Sequence, residues 1–370
     1  MELSTLSERY ANFRAPAFSV RMGRNDLVRD LLLAIGQVEV DLSLGAAARF
    51  NFSVPQAYDI ETRTFLTGRG ARVLDLLRFG AQVEICMGYG DARTVPLVVS
   101  GVITEITTSF PEAGAPELSI AGYDHAFPLT VGKSSRAWSK ALESDAAHQI
   151  ASFHNLGAKI ESTLERLEQI EQNQESDFEF LKKLADRNHF ELFVDERRTL
   201  HFHKPNDNAP PVVRLAWGEG LLSFKPEANL AGQITRVEVY GWDLKRKAQV
   251  VGVATAGDES GKKANDESAA QVLKRFVKDP DKQPVLRLRQ AVTTQGEAEK
   301  RARAVLNERA KQFLTGEAEA IGLPELRPDR NVTLDNLGAP FSKSYYIQQT
   351  THKIDAGGYR TRFKVKETGL

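Results

Sequence analysis

The chain has 370 residues, 41% of them apolar, with 49 Lys and Arg balancing 49 Asp and Glu. That length is enough for about two to four domains with a sizeable buried core, and zero net charge leaves no cationic excess to hold phosphate backbones. Disorder is excluded as the whole answer, and sequence-specific nucleic-acid binding is not expected.

Cys86 is the single cysteine and lies in the apolar run VEICM, which reads as buried packing with no disulfide. The longest charge-free run, Thr94 to Thr104, is about eleven residues, short of the roughly 20 that cross a bilayer. The opening MELSTLSERYANF carries acids and no apolar stretch, so neither a membrane span nor a signal peptide is expected.

The first 125 residues read as strands separated by turns. In 38–54, Val38, Val40, Leu42 and Leu44 alternate with Glu39, Asp41 and Ser43, and the pattern resumes at Phe50, Phe52 and Val54 after a turn near Gly45. Further strands are expected over 81–90, 95–110 and 115–125, with a helical turn near Val73 to Phe79. Antiparallel strands with short connections describe a barrel or a strongly curved sheet.

Residues 139–156 read as a helix with Ala146, Ala147, Ile150 and Ala151 on one face. Ser176 followed three residues later by Glu179 is a capping box that opens a helix with Phe178, Leu181, Leu184 and Ala185 as its apolar stripe. A hairpin over 191–203 turns at Asp195 to Arg198. Strands return at 221–226 and 232–242, and the charged stretch 257–283 reads as an exposed excursion with at most one short helix near Ala269 to Phe276. Thr294 and Glu297 open another capped helix, with Ala298, Ala302, Val305, Leu306, Ala310 and Phe313 on one face. Three strands follow Pro328, with a turn at Gly357-Gly358.

The chemistry-bearing candidates are weak. His201 and His203 share one side of a strand, but no further ligand accompanies them, so the pair reads as the solvated face of the hairpin. His125 and His352 take the same reading. GRGARVL at 68–74 lacks the GKS or GKT of a phosphate loop, and no serine sits in a G-x-S-x-G elbow. No catalytic, cofactor-binding or metal site is expected, and the chain is read as not an enzyme.

Several segments resemble the late control protein D family of contractile-tailed phages, which is similar to the front half of VgrG spike proteins. They are Gly101, Ile103 and Ile106; LSIAGYDHAFPL with Gly122, Tyr123, Asp124 and Leu129; ESDFEFLKKLA; and the C-terminal pattern through Gly322, Pro324, Leu326, Pro328, Gly338, Tyr346, His352, Tyr359 and Phe363. Two positions depart from the pattern: Asp329 and Ser342 stand where the family often has glycine.

The resemblance implies a β-rich α+β chain: two tube-like antiparallel β-barrel domains, a small α+β domain and a helical insertion. The expected division is 1–125 for the first barrel, 126–211 for the α+β domain, 212–242 and 311–370 for the two parts of the second barrel, and 243–310 for the insertion. It further implies a baseplate hub of a phage tail, tailocin or other contractile injection system, assembled in the bacterial cytoplasm. A homotrimeric ring would adapt a hexameric tail tube or tube-initiator protein to a threefold central spike, a separate protein, among other baseplate proteins and without stable membrane anchoring. A tail-associated cell-wall hydrolase or another non-hub baseplate component is the alternative. In the last strand Tyr359, Thr361, Phe363 and Val365 alternate with Arg360, Arg362, Lys364 and Lys366, and these four cations are expected at a channel or subunit interface.

Overall fold

The period-two runs become strands largely where they fall. The computed structural model describes residues 1–243, 246–259 and 266–370. After α1 (Leu3–Arg9), the N-terminal part contains β1 (Pro16–Met22), β2 (Asn25–Asp26), β3 (Gln37–Ser43), β4 (Arg49–Val54), the short pair β5 (Tyr58–Asp59) and β6 (Thr64–Phe65), α2 (Val73–Leu76), β7 (Gln82–Tyr89), β8 (Leu97–Ser109) and β9 (Glu117–Asp124). The next unit is α3 (Phe127–Thr130), β10 (Ser134–Leu142), α4 (Glu143–Phe153), β11 (Gly157–Ile160), β12 (Arg166–Glu175), α5 (Asp177–Asn188), β13 (Glu191–Val194) and β14 (Thr199–His203). There follow β15 (Val213–Trp217), β16 (Gly220–Ala228), β17 (Arg236–Asp243), β18 (Ala248–Thr255), α6 (Ala269–Phe276), β19 (Val285–Arg289) and α7 (Gln295–Ala310). The chain finishes with β20 (Leu314–Ile321), β21 (Asn331–Asp335), β22 (Lys343–Asp355) and β23 (Gly358–Glu367).

One sheet of 13 strands forms the frame. Six of its strands close a barrel in the order β22, β21, β15, β16, β20, β23 and back to β22. The other seven, β2-β1-β7-β8-β9-β4-β3, form an open arc. Two tube-like barrels are therefore not present among the described residues, which form one closed six-stranded barrel, an arc on the same sheet, and small separate sheets. Nor is the barrel wholly antiparallel, since β15 runs parallel to β16 and to β21.

The reason lies in β22. Its first residues pair with β21 (Tyr346 with Asn331), whereas Gln349 to Ile354 pair with Ser43 to Val38 of β3. The opposite edge pairs with β23 from Tyr346 to Asp355, across a bulge between Ile347 and Gln349. Because β3 spends its outer edge on β22, it is not available to close the arc on β1. Alternation fixes which side chains are buried and is silent about which strand takes an edge.

Close backbone approach makes the glycines of the arc necessary. A Cβ on Gly101 would lie 2.1 Å from the Tyr123 carbonyl oxygen, and one on Gly122 2.1 Å from that of Val102. These two residues let β8 and β9 cross tightly beside the bulge between Ile103 and Glu105.

Three apolar clusters result among the described residues. The largest joins arc and barrel, from Val20, Phe50 and Ile85 to Leu215, Tyr345 and Phe363. A second lies within 126–202, where α4 and α5 cover the sheets, with Ile150, Phe180, Leu181 and Phe202 at its centre. The third seals α7 against the sheet β18-β17-β19 through Val237, Val239, Ala298, Ala302 and Leu306.

The Ser176 box forms in both directions: Glu179 N donates to Ser176 Oγ (3.2 Å), and Ser176 N to Glu179 Oε2 (2.8 Å). At α7, Thr294 Oγ1 accepts from Glu297 N, but Glu297 takes the N–H of Thr293. The helix expected from 139 begins only at Glu143, because Ser139 to Leu142 belong to β10. The short helix in the charged stretch spans Ala269–Phe276, yet that stretch is not merely an excursion. Ser268, Ala269 and Ala270 are buried, and Glu267 exchanges backbone hydrogen bonds with Leu370 (3.1 and 3.2 Å).

Candidate assembly surfaces and the polar junction

Tyr359, Thr361, Phe363 and Val365 are buried by the barrel, so Arg360, Arg362 and Lys364 stand on its outer face. Cross-strand register supplies their partners, since β20 places Glu319 opposite Arg362 and Glu317 opposite Lys364. Arg362 Nε lies 2.9 Å and Arg360 Nη1 3.4 Å from Glu319, and Lys364 Nζ lies 3.4 Å from Glu317. The two glutamates went unrecognised in the sequence, although the EAEA run over 317–320 places them on one face of a strand. The three cations are exposed while Glu319 is partly buried, so each pair adds little stability.

Lys366 differs from the other three. It is half-buried, and its ammonium lies 5.7 Å from the Tyr346 ring centroid, with that of Lys311 at 5.6 Å. Burial pushes its amine down to about 8, with Lys311 acting in the same direction and Glu191 against it.

His201 and His203 are not the solvated face of a hairpin. Both are buried in a polar junction among arc, α+β unit and barrel. His201 Nε2 lies 3.0 Å from Asp195 Oδ2, its Nδ1 3.2 Å from His203 Nε2, and its ring stacks on Phe193 at 4.3 Å. His203 Nδ1 donates to the Lys204 carbonyl (2.7 Å). Burial opposes charge on Asp195, but hydrogen bonds from His201 and the Thr199 amide outweigh it and hold the carboxyl below its ordinary range.

Asp329 occupies the left-handed region, with φ 62, where a glycine would be free of strain. Its carboxylate explains the exception by accepting from Asn206 N (3.0 Å) and Tyr346 Oη (2.8 Å). Arg327 ties the junction to the arc: its guanidinium donates to the carbonyls of Leu97 (2.7 Å) and Val98 (3.0 Å) and pairs with Glu196. A cleft of about 340 Å3 remains between these groups.

The other histidines also depart from the solvated reading. His352 is fully buried: Tyr359 Oη donates to Nδ1 (3.0 Å), and Nε2 donates to the Leu326 carbonyl (3.0 Å). Burial pushes it down to about 3. His125 is buried 3.0 Å from Ser100 Oγ and is pushed down to about 4, chiefly by burial. Cys86 is buried as expected, and that burial raises its thiol to about 11. Among the described residues, no group of three or more His, Cys, Asp or Glu is placed to hold a metal ion, and no helix is long and apolar enough to cross a membrane.

The fold is that of phage tail and VgrG-like spike proteins. A tail protein from Neisseria meningitidis superposes with a TM-score of 0.69 at 15% identity, over 95% of this chain and 97% of that one. The 43 kDa tail protein of prophage MuSo2 from Shewanella oneidensis gives 0.69 at 13% identity, over 95% and 98%. A type VI secretion component of E. coli, itself structurally similar to bacteriophage T4 tail proteins, gives 0.53 at 11% identity, over 95% and 78%. The chain belongs to the family described as the Alg8 N-terminal domain, whose profile matches residues 63–356. No curated protein matches the sequence.

Proposed function

We propose that the chain is a structural baseplate hub of a contractile tail or injection system, of the late control protein D type. Three copies form a ring between a hexameric tail tube or tube-initiator protein and a threefold central spike. The observation that carries this reading is the extent of the structural likeness: two tail proteins are matched over nearly their whole lengths and nearly the whole of this chain. The separate core within 126–202 supports treating 126–211 as a unit of its own.

Two surface features support an assembled protein. Among the described residues Arg360, Arg362 and Lys364 share only Glu317 and Glu319, which suits a channel or subunit interface where those pairs are rearranged. Beside the end of β8, Tyr58, Phe65 and Phe110 form an aromatic cluster whose outer member Phe110 is 61% exposed, and Ile60, in the turn between β5 and β6, is 80% exposed. Assembly would begin in the bacterial cytoplasm, and the finished ring would belong to the particle.

Particle reconstruction tests the reading. Three copies of this chain at the junction of tube and spike are expected, with β23 facing the channel or a neighbouring protomer. A ring of six equivalent copies overturns the hub assignment. A β23 face remote from lumen and neighbours overturns the interface assignment alone.

A further inference from the structure

A cavity of about 920 Å3 lies between α7, the turn after α5 and the barrel strands β20 and β23. Two residues on its wall carry buried nitrogens without a hydrogen-bond partner, His189 Nε2 and Gln348 Nε2. His189 is the left-handed residue that ends α5 (φ 55), so its backbone is fixed by the helix terminus while its ring contributes to the cavity wall. A buried donor that has surrendered water and gained no acceptor is unfavourable, and two in one cavity call for a common explanation.

The surrounding charge indicates what is missing. Lys366, Lys311 and Arg301 line the same cavity, and Lys366 makes no ion pair among the described residues. The nearby carboxylates are partly engaged: Asp207 pairs with Lys311 at 3.3 Å, and Glu191 accepts from Tyr346 Oη at 3.2 Å. Glu308, Asp186 and Glu227 remain on the wall, and Glu317, also on it, pairs with Lys364 at 3.4 Å. His189 feels the cationic side more strongly: burial first, then Lys311, Arg301, Lys300 and Lys366, push it down to about 4. It is therefore neutral at neutral pH, and in its Nε2–H tautomer it is a donor toward the cavity.

We propose that this cavity is an oxyanion site, in which a carboxylate or phosphate accepts from His189 Nε2–H and the Gln348 amide and pairs with Lys366. The donors suit either oxyanion. The volume, near the upper end of the roughly 300–1,000 Å3 of ligand pockets, suits a carboxylate carried on an acidic protein segment better than a lone ion. This site is independent of subunit stoichiometry.

The test uses the full chain with labelled histidine, titrated at constant ionic strength with sodium phosphate and, separately, with a capped hexaglutamate peptide. Saturable shifts of the His189 ring signals are expected, together with a rise in its proton affinity as the anion offsets the cations. Gln348→Leu and Lys366→Met should each weaken binding about tenfold, the loss of one charge-assisted contact. Gln348→Leu should leave the free chain at least as heat-stable as the parent, because it removes an orphaned donor. Tighter binding of the peptide assigns the site to a protein-borne carboxylate, and equal or tighter binding of phosphate assigns it to the free ion. Absence of a saturable His189 shift with both probes up to about 10 mM, or unchanged binding in both variants, overturns the proposal.

Discussion

Asp124 and the junction histidines show how strongly burial resets individual side chains. Burial raises the Asp124 carboxyl to about 7, although it accepts from the Ala126 amide (2.9 Å). A folded-state pKa above the unfolded value means that folding takes up a proton. The resulting penalty is absent near pH 4, grows as pH rises and is complete above pH 7. Asp124→Asn keeps the acceptor and removes the charge, so it should stabilise the chain by roughly 3–4 kcal/mol at pH 8 and by almost nothing at pH 4. Urea unfolding at the two pH values checks this, and an equal effect at both contradicts it. Replacing both His201 and His203 by Gln should cost about 2–4 kcal/mol, since partners at Asp195 and the Lys204 carbonyl lose well-placed ring nitrogens in a buried setting. A loss below about 0.5 kcal/mol would restore the solvated reading.

Among the elements, α5 offers the clearest test. Removing its cap with Ser176→Ala should cost about 1 kcal/mol, and Leu181→Ala, at a fully buried position, about 2–5 kcal/mol. Denaturant midpoints measured at constant slope separate these effects from a change in the unfolded state. This helix was legible because its box and its apolar stripe are both local. The strand β23 was legible for the same reason, with Tyr359, Thr361, Phe363 and Val365 on the packed side as their alternation indicates. By contrast, β12 reads RLEQIEQNQE and buries only Ile170 and Gln172, so it offers too little alternation to register as a strand. The strand β18 lay in a segment read as insertion, and its Gly252 is required by the approach of the α7 backbone at Ala298, a contact that no local pattern encodes. The buried histidines were missed because a lone histidine carries no periodic signal. His352 is satisfied by Leu326 and Tyr359, the first of them distant in sequence, and Asp329 reaches its helpers Asn206 and Tyr346 only after folding.

At the scale of the whole molecule, the open arc and closed barrel form one sheet because β3 and β21 divide an edge of β22. The same architecture encloses three histidines in neutral form: burial, aided by neighbouring cations, sets His125 and His189 at about 4 and His352 at about 3. A depressed folded-state pKa contributes stability fully above the unfolded value near 6.5, and that contribution is lost as pH falls toward 4 and then 3. Unfolding free energy should therefore drop on acidification through this window. Asp124 works in the opposite direction there, so its Asn variant should show a steeper acid limb. A flat profile between pH 6.5 and 4 in the Asn variant would contradict the burial of the three rings as neutral groups.

The central claim concerns assembly, and native mass spectrometry of the full chain mixed with tail-tube and central-spike proteins tests it most directly. The hub reading predicts a complex containing three copies of this chain, with spike and tube proteins joining the same species. A species with six equivalent copies, or a chain that remains single when both proteins are present, would contradict it.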